Sequence, residues 1–549
     1  MLKITNSVFV NQAGYPLKGP KVFTAAEAGE FELVEAESGG TLFEGVMSPL
    51  KEDRASGLVV AKGDFSGFEE AGRFFLRMKE SGAVSPEFAV GERPYAALEK
   101  ALLKSFYFQR CGMELTAEYA GPWSHGPCHL AEAHVHGNPE ERYPQTGGWH
   151  DAGDYGKYTV AAVKAVADLL LAYERFPGAF AEPVGIPNAS RLPDVLAEVQ
   201  FELEFLLLMQ RPDGEVYHKV TTAEFPPYDC MPEFDLAELI FSPVSDTATG
   251  SFAAGMALAA RVYRELEPGL AERYAEAAKR AWRSLQGRPA AEGFRNPPGI
   301  ITGEYGDKSR DDELYWAAAE LFRLTGEAEY LQAAEAKLEE GWESWTAVRG
   351  NALLCRLGWA YTAGYGTLSL LDAGPGLVPE ALRARLLGAW LAEAEEYAER
   401  SAADGFGISL LPEEYIWGSN MLVMNRAMVL ITAEGMTGDK RFGQAALAHW
   451  DYLLGRNVLG YCYVTGFGAN RVLNPHHRPS EGDGVAEPVP GMVAGGPNVR
   501  LQDETAVSLL AGAAPAACYV DHMESYSTNE MTIYWNSPAV FVAAYAGRI

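Results

Sequence analysis

The sequence predicts a small all-β sandwich over residues 1–88 followed by a mainly α domain over residues 89–549. Short apolar runs separated by glycine and proline fill the first part, which is the pattern of short strands joined by turns. After Pro94 the apolar period becomes helical. About a dozen helical stretches then follow with no fixed-period repeat. That excludes a solenoid and points to an α/α toroid whose loops would build a site on one face.

In order along the chain, Phe31-Glu32-Leu33-Val34 leads through Ser38-Gly39-Gly40 into Thr41-Leu42-Phe43, and Arg73 to Met78 is another short β run. Gly82 to Pro94, carrying Pro86 and Gly91, reads as the linker into the helices. Val160, Val163, Val166, Leu170 and Tyr173 then recur at helical spacing, as do Leu192, Val195, Val199, Leu203 and Leu206. Further helices are expected near 96–110, 246–264, 268–286, 312–324, 328–343, 352–372, 379–400, 418–435, 440–454, 504–516 and 537–546. Several are apolar on more than one face, as suits helices packed between neighbours.

The chain has 549 residues, ample for a large core without staples. Hydrophobic residues make up 48% and charged residues 22%, which excludes global disorder. The net charge of −29 repels phosphate backbones, so nucleic-acid binding is not expected. No stretch approaches the ~18 apolar residues of a membrane span, and residues 1–7 hold no apolar signal core. A cytoplasmic monomer is the simplest expectation, although a trimmed secreted chain would read the same. Six cysteines are too sparse for a disulfide framework.

Three constellations carry chemistry. The first is Gly147-Gly148-Trp149-His150-Asp151-Ala152-Gly153-Asp154-Tyr155-Gly156-Lys157. Two aspartates three apart among glycines can aim both carboxylates at one water and remove its proton, the general-base half of a hydrolysis. An Asp N-cap at Asp154 is an equal alternative from the residues alone. The second runs from Tyr519 to Asn536 and includes Asp521, Glu524, Tyr526 and Glu530. A carboxyl against aromatic surface loses solvation, rises in pKa and can act as a general acid; a solvated loop would also read this way. The third is Thr465 to Arg471 followed by Asn474-Pro475-His476-His477-Arg478-Pro479, polar donors on a braced loop suited to gripping hydroxyls.

Taken together these stretches resemble family 9 glycoside hydrolases, cellulases with an (α/α)6 barrel. Asp-Ala-Gly-Asp-Tyr-Gly matches the family's general-base motif, Val464 to Arg478 its histidine signature, and Tyr519 to Ser537 its acidic signature. The opening Phe9-Val10-Asn11-Gln12-Ala13-Gly14-Tyr15-Pro16 resembles the immunoglobulin-like domain that precedes many members. The resemblance implies Asp154 as general base, Asp151 as a second holder of the water, and Glu530 as general acid. It implies His476 and Arg478 as ligands of sugar hydroxyls, and Asp521 and Tyr526 as supports of the site around Glu530. It also implies inversion, with base and acid ~6.5–9.5 Å apart. Trp149, Tyr155, Tyr415, Trp417 and Trp535 are candidate sugar platforms, each of which could equally be core; Trp417, in a stretch similar to a cleft-lining segment of the family, is the first choice.

Cys111, Cys128, His129 and His150 form the ligand set that tetrahedral zinc takes in closed structural sites. His125, His134 and His136 compete as ligands. Some family members carry a structural zinc with the same ligand order, which here would pin the base of the Asp151 loop. Asp312-Glu313-Leu314 resembles a calcium-binding stretch of the family, but Trp359-Ala360-Tyr361 stands where a further acid is expected. Acids opening a helix are favoured by its dipole in any case.

The expected activity is cleavage of β-1,4-glucans or cello-oligosaccharides by an endo-acting glucanase. The alternative is an exo-acting β-glucosidase or exo-β-glucosaminidase of the same family, releasing single sugars from chain ends. No binding module is recognisable after the barrel, so soluble oligosaccharides are the expected substrates. A silent sugar-binding protein would have no need of an intact Asp151, Asp154 and Glu530.

Overall fold

The computed structural model describes residues 7–287, 289, 293–340 and 350–549. Residues 7–91 form nine described strands: β1 (Val8–Phe9), β2 (Tyr15–Pro16), β3 (Val22–Ala25), β4 (Glu30–Glu35), β5 (Thr41–Val46), β6 (Lys51–Asp53), β7 (Leu58–Asp64), β8 (Gly72–Met78) and β9 (Phe88–Gly91). They order as β1-β3-β7-β6 and β2-β9-β8-β4-β5. Phe23, Phe31, Leu33, Phe65, Phe74, Leu76 and Phe88 share one core. The segment Gly82–Pro94 is therefore not all linker, because β9 lies inside it, pairing antiparallel with β8 and parallel with β2. Phe88 and Val90 alternate inward there, a two-residue signal too short to stand out among Pro86, Gly91 and Pro94.

The chain divides into two compact units, Met1–Ser105 with Ala394–Ile549, and Phe106–Glu393. In the first, the opening motif reaches into the helical part. Asn11 Nδ2 donates to Asp451 Oδ1 (2.8 Å), and Gln12 bridges Gly460 O (2.7 Å) and the Asn470 amide (2.9 Å). Asp53 Oδ1 accepts from the Gly405 amide at 3.1 Å. Beside it, burial together with the charge of Asp53 raises the Asp404 carboxyl to about 7. The helix Ser419–Thr437 packs on Lys440–Leu453 and Ile533–Ala546.

In the second unit, Asp246–Tyr263 packs on Thr159–Arg175, Pro268–Leu285 and Asp311–Thr325. Thr159 to Ala172 is buried on every face. A small sheet sits among these helices: β10 (Ala133–Val135), β11 (Asn138–Tyr143), β12 (Lys157–Tyr158), β13 (Lys219–Thr221) and β14 (Ile240–Phe241), in the order β11-β10-β14-β13-β12. Strands of two or three residues leave no alternation to read.

Most expected helices occur within a few residues of their predicted ends. The stretch 352–372 is not one helix: a 3-10 turn at Gly350–Cys355 is followed by a break, then Ala363–Leu371. Gly364 there lies so close to Arg356 O that a Cβ would meet it at 2.4 Å. Helix 504–516 stops at Leu510, ahead of Gly512 at φ +83°. The last helix starts at Ile533, capped by the Thr532 side chain, with Pro538 inside it. The last three positions of the predicted helix 328–343 lie outside the described residues. No described helix is long and apolar enough to cross a membrane.

Candidate active site

The Asp151 and Asp154 loop belongs to Phe106–Glu393 and runs into β12 and then Thr159–Arg175. Gly148, at φ +73°, presses on Phe205; a Cβ there would lie 2.5 Å from the ring, so glycine is required. Two acids of the helix Asp194–Leu208 hold the loop from behind. Glu202 Oε2 accepts from the Trp149 amide (2.6 Å), and Glu198 accepts from Trp149 Nε1 (2.8 Å) while pairing with Arg110 through both oxygens (3.0 and 2.8 Å). Trp149 is thereby core rather than a sugar platform.

Both aspartates are buried. Asp151 Oδ2 accepts from the Tyr305 hydroxyl at 2.5 Å, while its Oδ1 makes no hydrogen bond. Burial pushes the Asp151 carboxyl well above the usual range, the Tyr305 bond lowers it, and the Asp154 charge raises it again. Asp154 Oδ2 accepts from the Gly156 amide (3.2 Å) and stands 3.5 Å from the Tyr158 hydroxyl. Asp154 thus precedes β12 and does not cap the following helix, whose N-cap is Tyr158. No motif in the sequence marks Tyr305, which has φ +47°, a strained value for a side-chain-bearing residue. Its ring packs against Tyr158 (4.6 Å) and Trp359 (5.0 Å).

Directly beneath the loop, Cys111, Cys128, His129 and His150 are all buried, with one ligand atom of each lying within 4.8 Å of the others. His129 Nδ1 and His150 Nε2 are buried without a hydrogen bond of ordinary geometry. His129 Nε2 lies 3.3 Å from Asp235 Oδ2, which sets the tautomer that turns Nδ1 inward. Burial alone would lower His129, but Asp235 and Cys111 lift it to about 9. The Cys111 thiol is held well below its usual value, chiefly by a hydrogen bond from Cys128. Orphaned imidazole nitrogens facing an easily ionised thiol fit a metal ion. The competing histidines point elsewhere: His125 Nδ1 to Gly126 O, His136 Nε2 to Pro298 O, and His134 towards the exposed Glu238. Tyr155 is buried against His129 and His150 with its hydroxyl donating to Cys230 O, so it packs the quartet and offers no face to a sugar.

Asp312 and Glu313 join a second cluster, and the third acid is upstream, Asp307, rather than downstream near Trp359. Asp312 Oδ2 accepts from the Thr362 amide (2.8 Å), and burial raises its carboxyl to about 6. Both Glu313 oxygens are buried without a hydrogen bond of ordinary geometry, and burial, with the charges of Asp312 and Asp307, drives its pKa well up. Three buried carboxylates with hard oxygen donors repel one another unless a cation or protons intervene, so these residues fit a metal ion too.

Glu530 belongs to the other unit. It is half-buried and held by backbone: Glu530 bridges in parallel with His476, and its carbonyl accepts from the Gly495 amide at 2.9 Å. His476 is buried, with Nδ1 2.7 Å from Met523 O. That carbonyl requires a proton on Nδ1, and burial lowers the ring to about 4, so the neutral imidazole presents Nε2 as an acceptor. Arg478 is buried at the start of the short helix Arg478–Gly482.

Asp521 takes a bracing position. It accepts from the Leu473 amide (2.8 Å), the Asn474 amide (2.9 Å), Asn474 Nδ2 (3.3 Å) and Asn529 Nδ2 (3.0 Å), tying the histidine loop to the residue before Glu530. With both oxygens so occupied, Asp521 braces the loops on either side of it. Asp503, which sequence reading missed, does the same for Ser525 and Ser527. Trp417 is 36% exposed and packs at 5.4 Å from the Tyr526 ring. Tyr415 and Trp535 are buried and belong to the core.

The model of glycosyl hydrolase family 9 matches residues 95–543, and that of the cellulase N-terminal ig-like domain matches residues 3–83. The chain is 39% identical over 545 residues to a cellodextrinase of Butyrivibrio fibrisolvens, covering 97% of this chain and 98% of the relative. A single-mutant thermostable endoglucanase from Alicyclobacillus acidocaldarius superposes with a TM-score of 0.92 at 42% identity, over 99% of this chain and 100% of that one. A zinc-binding triple mutant of the family 9 endoglucanase J30 superposes with a TM-score of 0.89 at 32% identity, over 97% and 99% of the two chains.

Proposed function

The chain belongs to glycosyl hydrolase family 9, and we propose that it cleaves β-1,4-glucosidic bonds of cello-oligosaccharides and cellulose-type chains with Asp154 as general base and Glu530 as general acid. It is a glycoside hydrolase of the cellulase type with an N-terminal immunoglobulin-like domain. We take that domain as residues 1–88 and the catalytic domain as residues 89–549. The observation that carries the base assignment is the contrast in hydrogen bonding. Asp151 and Asp154 keep acceptor capacity in a buried place, whereas Asp503 and Asp521 are saturated.

In the reaction Asp151 and Asp154 hold a water, Asp154 takes its proton as the oxygen attacks the anomeric carbon, and Glu530 gives its proton to the leaving oxygen. Tyr305, by donating to Asp151, fixes the orientation of that carboxylate beside the water. His476 Nε2 accepts from a sugar hydroxyl, Arg478 donates to another, and Trp417 with Tyr526 offers an apolar face to a ring. Attack opposite the leaving group inverts the anomeric centre.

We assign zinc to Cys111, Cys128, His129 and His150: two thiolates and two neutral imidazoles cancel its charge and leave no open position, so its contribution is to hold the Asp151 loop. We assign calcium to Asp307, Asp312 and Glu313 on their oxygen donors.

The test is the product profile of the pure protein on cellohexaose followed over time. Early cellobiose, cellotriose and cellotetraose together support the endo reading. Glucose alone, released stepwise, indicates the exo alternative, and cleavage of chitosan oligomers in its place would overturn the glucan assignment.

A further inference from the structure

The motif Gly147 to Lys157 ends in a lysine that takes no part in the proton transfers and is not among the four members of the cysteine–histidine quartet. Lys157 is buried. Its backbone begins β12, where it pairs antiparallel with Val220 of β13, so the small sheet fixes its place. Its side chain turns back along the loop. Nζ donates to Gly147 O (2.9 Å), Gln145 O (2.5 Å) and Gln145 Oε1 (2.8 Å), three acceptors for three protons. The ammonium also stands 4.1 Å from the centre of the Phe205 ring, the ring on which Gly148 presses.

These contacts join the two ends of the segment that carries Asp151 and Asp154. Its start needs such a hold. Gly147 and Gly148 stand at φ +96° and +73°, values that glycine reaches readily and leaves readily, because it has no Cβ to confine it. Within the loop, the Asp151 amide donates to Gly156 O (2.9 Å), and Gln109 Nε2 donates to His150 O (3.1 Å) and Ala152 O (2.9 Å). Those bonds, with Glu198 and Glu202 on Trp149, shape its middle. The Lys157 bond to Gly147 O spans its whole length, from the strand at one end to the glycine pair at the other. Gln145 extends the hold. Its buried Nε2 donates to His129 O (2.6 Å) and Ala131 O (2.8 Å). One ammonium thus ties the glycine pair, the start of β12 and the chain at His129 into one frame.

We propose that Lys157 is a positioning residue of the hydrolysis: it clasps the ends of the Gly147–Lys157 loop and so holds Asp154 and Asp151 in the arrangement that activates the water. This rests on the assignment of Asp154 as general base. The clasp acts on the chemical step and not on sugar binding, because the residues that grip sugar in that reading, His476, Arg478, Trp417 and Tyr526, belong to the other unit. A catalytic group misplaced by about 1 Å costs on the order of 10²-fold in rate. A loosened loop that still visits the productive arrangement loses less.

The experiment is kcat and KM for cellohexaose at 25 °C in the wild type, K157M, D154N and the D154N/K157M double variant, each with its melting temperature and metal content. K157M is expected to fold, to keep the wild-type metal content, and to lose about ten- to a hundredfold in kcat with KM within about twofold. In the D154N background the same change is expected to cost no more than about twofold further, since two residues that act through one group are not additive. A K157M enzyme with a lowered melting temperature and wild-type kcat would reduce Lys157 to packing and overturn the proposal. So would a raised KM at unchanged kcat, a loss of metal alongside activity, or a full further loss in the D154N background. K157Q repeats the series should K157M not fold; if neither folds, Lys157 serves the fold as a whole and the proposal falls. D154N separates the two claims: full activity there would sink the base assignment itself, whereas an impaired D154N with wild-type kcat in K157M sinks only the role of Lys157.

Discussion

The carboxylates of Phe106–Glu393 and those around Glu530 are held in different ways. Asp151 and Asp154 are buried, and between them accept three hydrogen bonds of ordinary reach, from Tyr305, Gly156 and Tyr158. Their loop is fixed from behind by Glu198, Glu202 and the cysteine–histidine quartet. In the unit that carries Glu530, Asp521 and Asp503 each accept four hydrogen bonds and brace the backbone around Glu530 and His476. Asp151 and Asp154, the pair proposed to hold the water, thus keep acceptor capacity that at Asp521 and Asp503 is filled by hydrogen bonds. A carboxylate whose oxygens are saturated by donors gains little from taking a proton.

The largest test of that separation is removal of the acids themselves. Asp154→Ala and Glu530→Ala should each cost at least about 10²-fold in kcat with the far-ultraviolet circular dichroism unchanged; near-wild-type turnover in either would erase its assigned role. Asp521→Asn should behave differently. It turns an amide donor towards one of the Leu473 and Asn474 amides, a half-exposed mismatch of about 1 kcal/mol, and should lower the melting temperature together with a loss of activity about tenfold smaller than that of Glu530→Ala. An Asp521→Asn enzyme as dead as Glu530→Ala but equally stable would make Asp521 a proton-transfer group and break the comparison.

Smaller again is the effect of the cysteine–histidine quartet. Cys128→Ser should reduce bound zinc, read by atomic absorption, and lower the melting temperature by several degrees. Activity at 25 °C should fall less than it does in Asp154→Ala, since the quartet acts only through the loop. An unchanged melting curve and zinc content would count against the metal assignment.

The smallest effect concerns Asp404, far in sequence from either cluster. Its carboxyl is raised from 3.8 to about 7 in the folded protein. The folded state therefore holds a proton that the unfolded state releases, and the stability it contributes, present at pH 4, is lost as pH rises through 7. Asp404→Asn should flatten the decline of melting temperature between pH 5 and pH 8; an unaltered slope would remove this pair as a source of pH sensitivity.

Much of this was readable in the sequence because the signals are local. The Asp151–Asp154 spacing, the His476 loop and the stretch ending at Glu530 are contiguous, and the cysteine–histidine quartet shows in residue type alone. The helices were visible from apolar period. What stayed hidden depends on partners far apart in the chain. Tyr305 reaches Asp151 across 154 positions, and nothing around it in sequence marks it. Asp307 precedes the helix whose Asp312 and Glu313 it joins, with no sequence motif linking the three. Asp503 reads as an ordinary helix cap, which it also is. Phe88 and Val90 sit in a four-residue strand, too short for alternation to show. Burial decided the aromatics: Trp149, Tyr155, Tyr415 and Trp535 pack inside, and only Trp417 of the five keeps a substantial exposed face.

The central claim is that one carboxylate activates water while another protonates the leaving oxygen, and its most direct measurement is proton NMR of the anomeric signals during the first minutes of cellohexaose cleavage. Products appearing first as α-anomers, before mutarotation, are the expected result. Products appearing first as β-anomers would mean a covalent intermediate in place of an activated water, and would contradict the roles given to Asp154 and Asp151.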